Sequence, residues 1–405
     1  GLGLALCGVV SYGALSACIS RSGGEYRYLS DLFHPFVGSM AGWGSLLIGF
    51  SGPIAIDAIA IGAFMVTLDL PIDPKWAGTA VVVLLTLIHG IKWETSTVIQ
   101  NTLVGIKIIL VLGLVLIGMG LGSWTWPTWA PPAADADASN WSLMIENQFW
   151  IAFAFSGWNA AIYASSEFKN PKVDVGRAML IGCSIVGVIY LAVNWVFVTN
   201  LTPESAAVVF SYDEEYVTLG HILVVQLLGP AAANWMSILV IIALVSAMSA
   251  MMLVAPRIYS EMARDGVLPE AFAAKDGHLP LTATILQASV AIILIHTHSI
   301  LEAVESSSSA LMIFTSLAVA GLFVLHRRNA QPRPRLFARM SALVYIVLVM
   351  WILWQGLSLS GSYKTLILLG MIVVAALISN VARSMRGKRN LGHQTSPPPS
   401  AASGK

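Results

Sequence analysis

Residues 149 to 172 read FWIAFAFSGWNAAIYASSEFKNPK, an apolar and aromatic run that is interrupted at Ser156-Gly157, resumes, and stops at a charged Asn-Pro step. In hydrocarbon every backbone amide and carbonyl must find a partner, so a small polar interruption of a membrane helix is tolerated only where it is buried in protein or lines a cavity. Secondary transporters place such breaks near mid-membrane and present the freed helix ends to a substrate. A Ser-Gly pair also lets two helices pack closely. Spacing alone leaves both readings open.

The rest of the chain supports a membrane setting. Its 405 residues are 57% hydrophobic and 11% charged, with a mean hydropathy of +0.77. That composition is expected of an all-α polytopic membrane protein embedded in a lipid bilayer. Apolar runs long enough to cross a bilayer occur at 2–19, 36–68, 76–92, 97–121, 145–166, 176–200, 231–256, 279–296, 299–326, 336–358 and 362–382, which predicts eleven spans. The stretch 218–229 is apolar but too short to cross, and reads as a re-entrant or surface helix. Residues 1–382 form the transmembrane domain, and 383–405 read as a disordered basic tail.

Basic residues fall in alternate loops. Arg21 and Arg27, then Lys92, then Lys169, Lys172 and Arg177, then Arg257, Arg264 and Lys275, then Arg327 to Arg339, and finally the tail, share one side. The opposite loops hold only Lys75 and Lys364 and are acidic at Asp135, Asp137 and Asp213 to Glu215. The positive-inside rule makes the first set, and the C-terminus, cytoplasmic. Span 2–19 must then run inward from the outer face, so one further helix is expected before Gly1, for a total of twelve.

Few residues suggest other chemistry. Cys7, Cys18 and Cys183 lie in or beside apolar spans and read as packing residues, not as a disulfide framework. No metal-ligand spacing, phosphate loop, nucleophile elbow or cofactor motif is present, which argues against an enzyme, a cofactor or a metal. Nothing marks a nucleic-acid partner. The connection Arg21 to Trp43 is compact: Gly23-Gly24 permit a tight backbone, and Arg21, Glu25 and Arg27 can form ion pairs.

Charges inside spans are the candidates for function. Lys107 lies ten residues into its span, at about 1.5 Å each, so its ammonium sits roughly 15 Å deep in a core about 30 Å thick. A lysine there costs on the order of 2.5–3.5 kcal/mol on insertion scales. It is a proton carrier, a fixed cation in place of a sodium ion, or half of an ion pair with a carboxylate from another helix. Asp57, in a span interrupted by Gly49, Gly52 and Pro53, is a candidate gate. Ser246 and Ser249 are small hydroxyls able to coordinate a cation or to allow close packing. Glu302 and Glu305 precede four serines, Ser306 to Ser309, a cluster expected to face the protein interior or a water-filled path. Glu305 is the second candidate gate.

Together these motifs resemble amino acid permeases of the amino acid-polyamine-organocation superfamily. The carrying residues are ALCGVVSYGALSA and RSGGEYRYLS (Ala5 to Ser30), AGWGS in the next span, IQNTLVGIKIILVLGLVLIG (Ile99 to Gly118), FAFSGWNAAIYASSEFKNPK with Gly176-Arg177-Ala178, and PRIYSEMARDGVLP (Pro256 to Pro269). The resemblance covers nearly the whole chain, from the family's second helix to its twelfth. It implies a LeuT-like inverted-repeat transporter fold with the family's first helix missing, and alternating access around a central site. It implies that the carbonyls of Phe153, Ala154 and Phe155 receive a substrate ammonium at the Ser156-Gly157 break, with Trp158 and Asn159 shaping the side-chain pocket. Lys107 falls where several sodium-independent members carry a lysine. The absent first helix carries the family's Gly-Ser-Gly carboxylate cradle. The loop LDLPIDP lacks the cysteine that links some animal members to a partner, so no disulfide-linked heavy subunit is expected.

The reading is sodium-independent transport of a small-molecule amino acid, more neutral than charged, across the cytoplasmic membrane by proton symport or exchange. Polyamine transport, an amino acid sensor without flux, and an inactive truncated chain are the alternatives.

Overall fold

The computed structural model describes residues 1–66, 68, 70–89, 93–124, 148–202, 219–274, 281–328, 330–360 and 363–394. Among them every regular element is helical. The chain opens with α1 (Leu2–Cys18) and α2 (Gly24–Leu32). Next α3 (Pro35–Gly44) passes through a π-helical turn (Ser45–Gly49) into α4 (Ser51–Val66). Then come α5 (Pro74–His89), α6 (Trp93–Leu121), α7 (Gln148–Ala154), a 3-10 stretch (Ala160–Glu167) and α8 (Pro171–Asn200). The second half contains α9 (Leu219–Leu228), α10 (Ala233–Arg264), α11 (Leu281–Thr297), α12 (Ile300–Arg327), α13 (Leu336–Ser360) and α14 (Tyr363–Gln394).

Seven segments among the described residues are long and apolar enough to cross a membrane: Pro35–Val66, Thr97–Leu121, Pro171–Asn200, Pro230–Arg264, Glu302–Arg327, Leu336–Gln355 and Thr365–Met385. Leu2–Cys18, Pro74–His89 and Leu281–Thr297 are apolar but shorter, at 16 or 17 residues. The remaining expected span, 145–166, is interrupted. Helix α9 has 10 residues, short of a crossing as its sequence suggests. Helix α14 continues past residue 382, the boundary expected for the tail, to Gln394. The loops expected around Trp124 to Trp141 and Thr202 to Tyr216 fall largely outside the described residues.

The segment Pro35–Val66 lies at the centre, 78% buried over its apolar window, against 11% for Thr97–Leu121 and 17% for Pro171–Asn200. Helix α4 packs on α5, α10, α11 and α12, while α1 packs on α8, α12 and α13. The outward faces of α6 and α8 are apolar, with Ile109, Leu116, Val188 and Leu191 well exposed. Such contiguous apolar surface is what hydrocarbon covers.

The central segment is interrupted by a π-helical turn with a chemical basis. Phe50 N bonds to the Ser45 carbonyl at 2.9 Å, five residues back, and Ser51 Oγ bonds to the Leu46 carbonyl at 2.6 Å. The widened turn restarts the helix at Ser51 and places Pro53 in the first turn of α4, where its missing N–H needs no intrahelical acceptor.

Candidate functional site

The break expected at Ser156-Gly157 is present. Helical bonding in α7 ends with Phe155 N on the Ile151 carbonyl at 3.1 Å and a tighter Ser156 N to Phe153 carbonyl bond at 2.9 Å. It resumes as 3-10 structure with Ala160 N on the Gly157 carbonyl at 2.9 Å. Gly157 has φ +87°, a left-handed conformation that favours glycine. Of the three carbonyls assigned to an ammonium, that of Phe153 thus has a backbone partner and that of Ala154 accepts the Tyr190 hydroxyl at 2.6 Å. Neither bond reaches the Phe155 carbonyl.

A cavity of about 50 Å³ opens at the break, several times the space that one water needs. Phe155, Ser156, Gly157, Trp158 and Asn159 line one side. Helix α1 adds Leu4 and Ala5, and the opposite wall is Ser308, Leu311, Met312 and Thr315 of α12 with Tyr345 of α13. Thr315 Oγ1 and the Tyr345 hydroxyl are 2.9 Å apart. Trp158 is held edge-on between Tyr12, at 4.8 Å between ring centres, and Tyr345, at 6.1 Å. The Phe153 ring packs instead against Ile56, Ala303 and Val304.

One lip of the cavity is polar. Asn159 is 5% exposed, and its Nδ2 donates to Glu25 Oε1 at 2.6 Å and to the Tyr163 hydroxyl at 3.2 Å. The Tyr12 hydroxyl donates to the same Glu25 oxygen at 2.9 Å. Glu25 therefore turns inward, whereas the sequence suggested an ion pair at the surface of the connection. Gly23 and Gly24, at φ +116° and +55°, start α2 close against the Tyr163 ring, and a side chain at Gly24 would collide with that ring. This close approach carries Glu25, 3% exposed, under the break.

Arg27 does pair, with Glu261 at 2.8 Å and Asp265 at 3.1 Å, and stands 3.9 Å from Asp31. Arg257 of α10 bonds Glu167 at the end of the 3-10 stretch at 2.6 Å. Outside the spans, burial pushes the Asp31 carboxyl up while Arg27 pulls it back. Burial, then the bond to Asp265, pushes the Tyr26 phenol well above its ordinary value.

The other candidates lie apart from the cavity. Asp57 is buried on α4 and Lys107 lies on α6; among the described residues no ion pair joins them. Ser246 and Ser249 are fully buried and face α5 and α6. The Ser249 hydroxyl is 3.0 Å from His89 Nε2, and the Ser246 carbonyl accepts Gln100 Nε2 at 3.3 Å. The four serines 306 to 309 are buried, as expected of an interior cluster, and Ser308 reaches the cavity. Glu305 stays half-buried near Glu302, which caps α12 through Ser299.

The family profile described as amino acid permease matches residues 1–382. The chain belongs to the amino acid permease family. Among curated relatives it is 26% identical over 346 residues to the b(0,+)-type amino acid transporter 1 of Oryctolagus cuniculus, covering 82% of this chain and 68% of that protein. It is 23% identical over 391 residues to the large neutral amino acids transporter small subunit 2 of Homo sapiens, covering 91% and 71%. It is 25% identical over 370 residues to the Asc-type amino acid transporter 1 of Mus musculus, covering 86% and 66%. This permease thus shares its family with amino acid transporters, and the carriers named among its relatives are not enzymes.

The residues that sequence reasoning missed are Tyr12, Glu25, Tyr163, Thr315 and Tyr345. Only the paired glycines before Glu25 hinted at a close approach there.

Proposed function

We propose that this permease carries neutral α-amino acids across the cytoplasmic membrane by sodium-independent alternating access, as a proton symporter or an exchanger. The observation that carries the reading is the lining of the cavity at the helix break: aliphatic, aromatic, hydroxyl and amide groups, with no charged side chain among the described lining residues. Such a wall suits an uncharged side chain. A charged one would need a partner to offset its desolvation. The name of one relative specifies large neutral amino acids, in keeping with this choice.

On this reading the eleven apolar segments span the membrane in a LeuT-like arrangement, with the C-terminal end in the cytoplasm. Phe153 to Asn159 form the substrate-binding break, Lys107 with Ser246 and Ser249 serves coupling, and Asp57 and Glu305 act as gates. No disulfide-linked heavy subunit takes part, since LDLPIDP offers no cysteine.

The test is uptake of radiolabelled L-leucine and L-alanine into proteoliposomes, in sodium-containing and sodium-free buffer, with and without an inward proton gradient. Uptake unaffected by sodium and raised by the gradient supports symport. Uptake that needs internal amino acid and ignores the gradient supports exchange. An absolute sodium requirement overturns the reading.

A further inference from the structure

Glu25 occupies an unusual position, because a buried carboxylate ordinarily needs a compensating charge and none of the described cations lies at ion-pairing distance from it. Its partners are neutral donors, Tyr12 at 2.9 Å and Asn159 at 2.6 Å. Glu25 Oε1 accepts from both of them. The Asn159 amide must therefore turn its nitrogen toward Glu25, and the second N–H faces the Tyr163 hydroxyl at 3.2 Å. With both amide protons committed, the group that Asn159 retains for the cavity it lines is Oδ1, a pure acceptor.

We propose that Glu25 is a positioning residue: it fixes the orientation of the Asn159 amide, so that Oδ1 meets a hydrogen-bond donor of the bound amino acid. The proposal rests on the substrate class given above. Glu25 itself does not touch the substrate. A residue without an acceptor oxygen in its place would let the amide turn over and present N–H groups to a donor.

The experiment uses the full-length chain purified in detergent, with L-leucine as probe, and reads leucine Kd and melting temperature for E25Q, E25A, N159D and E25Q/N159D. E25Q keeps an acceptor oxygen in place and stays within about threefold of the parent Kd, whereas E25A weakens leucine at least about tenfold, the loss expected when a hydrogen bond to a charged group goes. N159D sets two carboxylates against each other and lowers both affinity and melting temperature. E25Q/N159D restores a donor facing an acceptor and recovers both. Unchanged leucine affinity in E25A, or no recovery in the double variant, overturns the proposal. A purely structural role would lower the melting temperature of E25A while leaving Kd unchanged, which also overturns it. If the parent binds no neutral amino acid while the double variant still recovers the melting temperature lost in N159D, the substrate assignment fails and the pairing of Glu25 with Asn159 is supported.

Discussion

Arg27 Nη2 lies 2.8 Å from Glu261 Oε2, tying α2 to the end of α10 through a guanidinium that is almost wholly buried. Its other nitrogen reaches Asp265 at 3.1 Å, so one arginine neutralises two carboxylates of the same helix end. In the proposed orientation this is the cytoplasmic end, where the cluster is expected to restrain access. Removing one partner of a buried pair leaves the other uncompensated and costs about 3 kcal/mol. Arg27→Ala is expected to lower the melting temperature and to raise labelling of cysteines introduced along the cytoplasmic end of α10, with Arg27→Lys in between. Unaltered labelling would show that the cluster does not restrain access.

The same cluster predicts a flat pH response. The Tyr26 phenol is raised above 10.0 by burial and by its 2.7 Å bond to Asp265. A group whose folded pKa is raised contributes stability that is complete below its unfolded pKa and lost as pH rises through the folded one. Between about pH 6 and 9 that contribution is constant. The difference in melting temperature between Tyr26→Phe and the parent should therefore be the same across this range.

Asp57 and Lys107 offer a test of coupling. Asp57 is buried on α4 and Lys107 lies on α6, and among the described residues no ion pair joins them. If Lys107 carries a proton, Lys107→Gln abolishes the response of uptake to a proton gradient, and Asp57→Asn, which removes the buried carboxyl of α4, changes the pH dependence of uptake. Gradient-dependent uptake that survives in Lys107→Gln removes the lysine from the coupling role and leaves it a fixed cation.

Trp158 bounds the cavity between Tyr12 and Tyr345. Trp158→Leu should enlarge the site and raise the uptake of L-phenylalanine relative to L-alanine, at a stability cost on the order of 1–3 kcal/mol for the lost packing. A competition assay with the two amino acids reads the ratio. No change in the ratio would mean that this ring does not set substrate size.

The helix break was legible in the sequence, and for a definite reason. In lipid an interrupted helix needs a use for its freed backbone, so the break at Ser156-Gly157 could be expected from sequence, while its use for a substrate or for close packing stayed open. Lys107 declared itself by depth. Glu25 did not, because a nine-residue polar helix beside arginines reads as a surface connection. Only the tertiary approach to Tyr163 shows it turning inward. Tyr12 and Tyr345 sit in otherwise apolar helices, and nothing local says that both meet Trp158. The carbonyls of Phe153 and Ala154 could be located from sequence, but their internal partners, Ser156 and Tyr190, depend on the fold.

The π-helical turn at Ser45–Gly49 has a further consequence for α4. One extra residue in a helix advances everything after it by about 100° around the axis. The turn thus works as a phase shift: residues of α3 and α4 that would share a face on a continuous helix look in different directions. Deleting a single residue within it would rotate Asp57 by that angle relative to α3, without altering a single side chain of α4.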